Sequence, residues 1–166
     1  VLKAECPSDP DERINKGEFI LVFDGEKYKV GRGVNSLTTF TKEKTEDVRK
    51  IKIVEGMDLY QDDIRNTFTD SYVGKYVNDY DNKQLFVAAV RAYQAGLAGE
   101  VLDASYDNTA SVDAQAQKQY LQERGQDVSQ MTETEILTAN TGAKVFIASH
   151  VKFVDAMEDL QMTVNM

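Results

Sequence analysis

The spacing of apolar and polar residues near the start of the chain is typical of β-structure. A continuous apolar run over residues 19–23 is followed by Asp24-Gly25, and Tyr28 and Val30 then alternate with lysines. An Asp-Gly pair between two such segments favours a tight hairpin, because both turn positions are expected to need positive φ. The pattern therefore predicts a β-hairpin over residues 18–32.

Two further short strands are predicted after the hairpin. Residues 37–40 are apolar enough to continue the sheet, and Ile51 and Ile53 alternate with lysines. Residues 1–17, which hold both prolines of the chain, are polar and irregular. They predict a linker or arm with one helical turn over residues 11–16, ended by Gly17.

From Met57 onward the apolar spacing changes to three and four residues, which is typical of amphipathic helices. The first helix is expected to end near Gly74, and the second, over 82–98, follows a capping-box pattern at 81–84. A third helix is predicted over 112–124, closed by Gly125. A short fourth helix opens at a second capping box over 132–135 and runs to about residue 140.

Strand character returns after the helices. Residues 144–154 are rich in β-branched and aromatic side chains and predict a strand pair or one bent strand. In the last segment every second residue is apolar, namely Leu160, Met162, Val164 and Met166. The order of strands, helices and strands predicts an α+β fold, with an antiparallel or mixed sheet, three to four helices and a terminal strand.

Composition narrows the class of protein. The chain has 166 residues, 42% of them hydrophobic, and a net charge of −9. This size suits one compact domain, and the acidic balance disfavours direct binding to nucleic acid or to anionic membranes. The sequence has neither a signal-peptide pattern nor an apolar run of the roughly 18 residues that a membrane helix needs. Because the chain does not begin with Met, we expect a fragment or a processed form.

Few residues offer catalytic or metal-binding chemistry. His150 is the only histidine, no G-x-S-x-G motif accompanies it, and we interpret it as structural. Cys6 is the only cysteine and has no base nearby in sequence, so neither a disulfide nor a zinc site is expected. The stretch 79–82 fits a helix cap better than a calcium loop, and the basic cluster at 42–52 fits a solvated loop. The sequence predicts no catalytic residue, cofactor or metal, although a hydrolase using His150 and a carboxylate remains an alternative.

Three stretches, in order, carry a resemblance to a known family. They are 31–39 (GRGVNSLTT), 73–82 (VGKYVNDYDN) and 139–146 (ANTGAKVF), the last continuing into 154–160 (VDAMEDL). Together they resemble the C-terminal domain of contractile-tail sheath proteins from myophages and from phage-like particles of Gram-positive bacteria. The resemblance covers nearly the whole chain from about Gly17.

The resemblance implies a structural subunit without enzymatic activity. Sheath subunits of this family form hexameric rings stacked in a helix around a tail tube, and contraction drives the tube through the target envelope. The implied partners are further copies of the chain, the tube protein, and baseplate and tail terminator proteins. The implied location is the virion tail, assembled in the bacterial host cytoplasm. Family members usually carry further domains before this one.

The resemblance also suggests how the chain is divided and which residues act. It implies a linker or arm at 1–17, a core domain at 18–154 and a strand or arm at 155–166 that pairs with a neighbouring subunit. Leu160, Met162, Val164 and Met166 would be the buried side of that strand. The alternative is an ordinary edge strand that folds back on its own sheet, in a binding module that does not polymerise.

Contact with the tube is expected to be polar and shallow, because the sheath must release the tube during contraction. Helix 82–98 offers Lys83 and Arg91, and helix 112–124 offers Lys118 and Arg124. We favour the second pair, with a solvated helix face as the alternative.

Overall fold

The computed structural model describes residues 9–42 and 44–165. Its contacts divide the chain into two compact units. The first unit combines the residues up to Leu59 with those from Asp155 onward, and the second unit is Tyr60–Val154. Cys6 and Met166 lie outside the described residues, and the predicted boundaries at 17 and 154 stay predictions.

The first unit begins with helix α1 and a hairpin. α1 spans Pro10–Asn15, and Asp9 caps it by accepting a hydrogen bond from the Glu12 backbone N–H at 3.0 Å. Strands β1 (Leu21–Phe23) and β2 (Tyr28–Val30) pair antiparallel, with Val22 opposite Lys29. The predicted helical turn and the predicted hairpin are therefore confirmed.

The chemistry of the hairpin turn differs from the expectation in one respect. Gly25 has a φ of 102°, but no described residue other than glycine has a positive φ. Asp24 instead accepts hydrogen bonds at 3.0 Å from the backbone N–H groups of Glu26 and Lys27. Asp24 thus stabilises the turn through its carboxylate, and only the glycine supplies the left-handed backbone.

The two strands predicted after the hairpin are wrong. Residues 37–40 have no regular structure, and a short 3₁₀ helix over Glu46–Arg49 leads into helix α2, Ile51–Ser71. Ile51 and Ile53 belong to this helix. Over three residues an alternation also fits a helix, and the longer spacing from Ile53 through Met57 and Tyr60 is helical.

The second unit contains most of the regular structure. After α2 come α3 (Tyr80–Leu97), β3 (Thr109–Val112), α4 (Ala114–Glu123), α5 (Glu133–Thr138) and β4 (Ile147–His150). β3 pairs antiparallel with β4, α3 packs against β3, and α4 packs against α5. The buried cluster of this unit comprises Phe86, Val87, Val90, Ala110 and Val112.

Three features of the second unit differ from the prediction: the starts of two helices and the partner of the last strand. Asp79, rather than Asp81, caps α3 by accepting from the Asn82 backbone N–H at 2.8 Å. α4 starts at Ala114, because its first predicted residues belong to β3 and to the Asp113 cap. Within 144–154 a single strand, β4, forms, and its partner β3 was not predicted. The capping box at Thr132 and Glu135 is confirmed.

The α+β class is confirmed, with five α-helices and two two-stranded antiparallel sheets among the described residues. Residues 155–165 have no regular structure. The alternation of apolar residues therefore does not form a strand within this chain. None of the described helices is long and apolar enough to cross a membrane.

Candidate assembly interface

The hairpin of the first unit exposes apolar side chains on both of its strands. Leu21 and Phe23 on β1 and Val30 on β2 are exposed, as is Phe19 just before β1. Beneath the hairpin the first unit buries only a small cluster of Ile14, Ile20 and Val34, with Val22 packed against it. A two-stranded sheet that covers so little apolar surface is marginal by itself in water.

The backbone after the hairpin brings two cations to one place. Val34 forms an antiparallel bridge with Lys50, and the Ile51 backbone N–H donates to the Gly33 carbonyl at 2.9 Å. Asn35 secures this bridge, because its side chain donates to the Val48 carbonyl at 2.8 Å. Lys50 is one of the bridged residues and Arg32 lies two residues before the other, so both cations are held close to hydrogen-bonded backbone.

These two cations hold the first residues of the arm. Arg32 binds the Asp159 carboxylate through both guanidinium nitrogens, at 2.8 and 2.9 Å, and lies 3.3 Å from Glu158. The Lys50 ammonium contacts both Glu158 and Asp155, the latter at 3.1 Å. We name residues 155–159 the arm root and residues 160–165 the arm tip.

The ion pairs shift the titration of the arm root. The hydrogen bond from Lys50 is the main reason that the pKa of Glu158 lies below its ordinary value, against the opposing effect of burial. The hydrogen bond from Arg32 likewise lowers the pKa of Asp159. Burial acts to raise the pKa of Asp155, but hydrogen bonds from the Ala156 backbone and from Lys50 together outweigh burial, so the pKa lies below its ordinary value. All three carboxylates are therefore favoured in their charged form.

The arm tip leaves its apolar residues uncovered. Leu160 is 88% exposed, Met162 73% and Val164 72%. These three members of the predicted buried side are thus not covered by the chain to which they belong.

Two of the motifs found in the sequence meet in the second unit. The Asn78 side-chain amide donates to the Thr141 hydroxyl at 3.2 Å and to the carbonyls of Gly142 and Lys144 at 2.7 and 2.9 Å. Asn78 therefore ties the loop before α3 to the loop after α5.

Lys83 extends this polar network into the interior. It is 3% exposed, and its ammonium donates at 3.2 Å to the Gln117 side-chain oxygen and to the Thr141 hydroxyl. Desolvation lowers the pKa of Lys83, although the charge of Asp79 acts in the opposite direction. Because Lys83 is buried, it cannot present its charge to a tube protein. The expectation that Lys83 could contact the tube is therefore wrong.

The remaining tube candidates differ in their availability. Arg91 uses its Nε to donate to the Ala110 carbonyl at 2.8 Å. Lys118 and Arg124 are both exposed, and Arg124 donates to the Tyr120 hydroxyl at 3.2 Å. Arg124, the residue at the C-terminal cap of α4, is six positions after Lys118, which places the two about 120° apart around a helix axis with 3.6 residues per turn. They lie on one element but do not form a single stripe.

The last two residues of β4, Ser149 and His150, have different surroundings. His150 is exposed on β4, and Ser149 instead contacts the Tyr60 hydroxyl at 2.5 Å and accepts from the Gln94 amide at 3.0 Å. Among residues 9–42 and 44–165, no group of three or more His, Cys, Asp or Glu side chains could hold a metal ion.

Sequence reasoning missed the two cations that hold the arm root. Arg32 was considered only within the stretch 31–39 that carries the family resemblance, and Lys50 only within the basic cluster interpreted as a solvated loop. The useful signal was the group of acids at 155, 158 and 159 in the arm, which requires basic partners when it is partly buried.

The profile of the phage tail sheath C-terminal domain family matches residues 43–166. The chain belongs to this family. The tail sheath protein of Clostridium phage phiCD119 is 43% identical over 157 residues, which cover 94% of this chain and 44% of that protein. The phage-like element PBSX protein XkdK of Bacillus subtilis is 42% identical over 55 residues, or 32% of this chain and 12% of that protein. This sheath domain therefore spans less than half the length of the curated relatives that it matches.

Solved structures show the same fold. The sheath tail protein of Desulfitobacterium hafniense superposes with a TM-score of 0.53 at 21% identity, covering 66% of this chain and 26% of that one. The sheath tail protein of Listeria innocua gives a TM-score of 0.53 at 20% identity, covering 90% of this chain and 34% of that one. The resemblance to sheath proteins that the sequence motifs carried is confirmed.

Proposed function

We propose that this domain polymerises a contractile tail sheath by giving its arm to a neighbouring subunit. The observation that carries the proposal is the arm tip, in which three alternating apolar side chains are exposed directly after a root held by ion pairs. Exposed apolar side chains at every second position are suited to pairing with the sheet of another molecule.

The geometry of such pairing produces an extended assembly. A subunit that gives its arm to one neighbour and accepts an arm from another forms a head-to-tail contact, which closes into a ring or continues as a helix. In the proposed sheath, hexameric rings stack around the tail tube in the virion tail. Contraction of this lattice drives the tube through the target envelope, and assembly occurs in the host cytoplasm with baseplate and tail terminator proteins.

The hairpin of the first unit is the acceptor that best suits the arm tip. β1 has β2 on one side and no second strand partner among the described residues. A third strand along β1 would satisfy its free backbone groups and cover Leu21 and Phe23. An introduced cysteine pair, Val22→Cys with Thr163→Cys in a Cys6→Ser background, should form disulfides between subunits in assembled material and not in monomers.

The alternation within the tip supplies a matched test of arm donation. In the full-length gene product, one variant replaces Leu160, Met162 and Val164 with Lys, and its control replaces Gln161, Thr163 and Asn165 with Lys. Both variants add three charges, but only the first places them on the proposed buried side. We expect the first to abolish tubular polymers in electron micrographs and in sedimentation, and the control to retain them. Equal polymerisation of the two variants would refute arm donation.

The alternative function is a binding module that accepts or donates a strand without forming a lattice. The exposed hairpin also suits this function, because one foreign strand could cover it. Electron microscopy of the unmodified full-length product separates the two, since only the sheath function produces tubular polymers.

We further propose that α4 contacts the tube through Lys118 and Arg124. Their exposure at one element supports weak, salt-screened pairing with acidic groups, which permits release. Lys118→Glu with Arg124→Glu should reduce co-sedimentation with tube protein at low salt, whereas Arg91→Glu should not. Unchanged co-sedimentation of the double variant would remove α4 from the contact.

A further inference from the structure

We propose that Arg32 and Lys50 are positioning residues that fix the direction in which the arm leaves the first unit. This inference rests on the proposed function, since direction matters only if the tip must reach a neighbour. The arm root and its two cations then act as a pivot that holds residues 155–159 while the tip pairs elsewhere.

Both cations of the pivot lie next to hydrogen-bonded backbone. Arg32 lies two residues after the end of β2 and Lys50 directly precedes α2, and the bridge between Val34 and Lys50 connects the two segments. The two cations are therefore held by backbone hydrogen bonds rather than by a long loop, which limits the positions that their partners on the arm can take.

The ion pairs share partners in a way that suits a pivot. Glu158 is contacted by both Arg32 and Lys50, while Asp159 and Asp155 each occupy one of the cations as well. The side chains of Glu158 and Lys50 are only 20% and 23% exposed, so solvent screens their pair less than it screens a surface pair. A two-pronged guanidinium contact to Asp159 adds directionality at the point where the root ends.

Apolar packing does not supply this attachment. Met157, in the middle of the root, is fully exposed, and Leu160 follows the root with 88% of its surface exposed. Charge therefore decides where the root lies, and the apolar residues remain available for a partner.

The mobility of a spin label at the start of the tip tests the pivot directly. The label is attached to Gln161→Cys in a Cys6→Ser background of this chain, and its spectrum reports the ratio of mobile to immobile label. Lys50→Glu and Glu158→Lys should each raise this ratio about fivefold, a size typical of losing a partly exposed ion-pair network. The combined Lys50→Glu/Glu158→Lys variant should restore much of the immobile fraction, because it rebuilds the pair with reversed charges.

Lys16→Glu is the matched control, since it reverses one charge in the same unit at an exposed pair with Glu12. It should leave the label ratio unchanged. Glu158→Lys lies on the arm and so covers the case in which Lys50→Glu fails to fold. An unchanged ratio in both single variants would overturn the pivot.

Polymerisation of the same variants separates this inference from the proposed function. The single variants should reduce tubular polymers about fivefold, and the charge-swapped pair should restore them. If the label becomes mobile while polymer yield stays the same, the positioning role is wrong although arm donation can hold. If both tip variants polymerise equally well, arm donation itself is wrong, and the label result then describes only an attachment within the chain.

Discussion

The two units of this sheath domain hold themselves together by different means. The second unit buries a cluster of apolar side chains around Phe86 and adds a polar network in which Asn78 and Lys83 have hydrogen-bond partners. Among its described residues the first unit buries four apolar side chains, Ile14, Ile20, Val34 and Ile53, while several on its hairpin are exposed, and it attaches the arm root through ion pairs. Apolar burial thus contributes most to the second unit, whereas ion pairs attach the arm root in the first unit.

This difference suggests that the two units have different roles in assembly. The second unit also exposes apolar side chains such as Val77, but its buried cluster has little reason to repack on assembly, because a protein interior is close-packed. A unit with an exposed hairpin and an exposed arm tip gains apolar burial when a neighbour supplies or accepts a strand. We therefore infer that the second unit is the stable body of the subunit and that the first unit carries its connections.

The largest effect is expected when one aromatic ring is removed from each unit. Phe86 is 5% exposed, and its ring lies 4.8 Å from that of Tyr72, whereas Phe23 is 46% exposed. Phe86→Ala should lower the free energy of unfolding by about 3–5 kcal/mol, the usual cost of an emptied aromatic site. Phe23→Ala in the monomer should change it by less than about 1 kcal/mol. Guanidinium unfolding followed by circular dichroism measures both, and similar losses would remove the contrast.

A smaller loss of stability is expected when an asparagine that ties loops together is replaced in each unit, namely Asn78 in the second and Asn35 in the first. Asn78→Ala deprives three acceptors of a donor and should cost about 1–3 kcal/mol. Asn35→Ala removes one donated bond, to Val48, and one accepted bond, from Leu37, and should cost about 1 kcal/mol. Denaturant midpoints of the two variants give the comparison, and a greater loss at Asn35 would contradict the assignment of the body to the second unit.

The smallest effect is expected from acid, which acts on the arm root. The folded-state pKa of Glu158 is lowered from an ordinary value of 4.5, so its stabilisation is complete above that value and is lost as the pH falls through the lowered pKa. The groups that face it are Lys50, Arg32 and Asp155. The spin label at position 161 should therefore become two- to threefold more mobile, a factor of roughly the size expected for partly exposed pairs, between pH 7 and pH 3.

Glu158→Gln provides the control for the acid experiment, since it removes the titrating group while keeping the shape of the side chain. Its label mobility should depend less on pH than that of the unmodified chain. An equal pH dependence in the two proteins would show that Glu158 is not the group on which acid acts.

Local patterns predicted much of the fold correctly. The hairpin, the helix stripes and the capping box at Thr132 depend on neighbouring residues, and all three are confirmed. The strand at Ile51 was wrong because three alternating residues fit a helix as well as a strand. β3 was missed because its four residues, Thr109–Val112, precede a helix whose apolar spacing includes Val112.

The candidate site could be predicted only in part. The alternation in the arm identified the exposed tip, but the partners of the root are more than 100 residues away in sequence, as with Lys50 and Glu158. Lys83 was treated as a surface cation, because position in a helix does not reveal which face is covered when Gln117 and Thr141 come from distant elements.

The sequence by itself determined which segments can be helices, turns and alternating strands, and its motifs were sufficient to indicate the sheath family. The tertiary structure decided which charges meet, which lysine is buried and where the arm is attached. The physical reason is the sequence distance over which each interaction acts. Backbone preferences and capping act within a few residues, whereas the burial and pairing of a charge depend on groups that only the folded chain brings together.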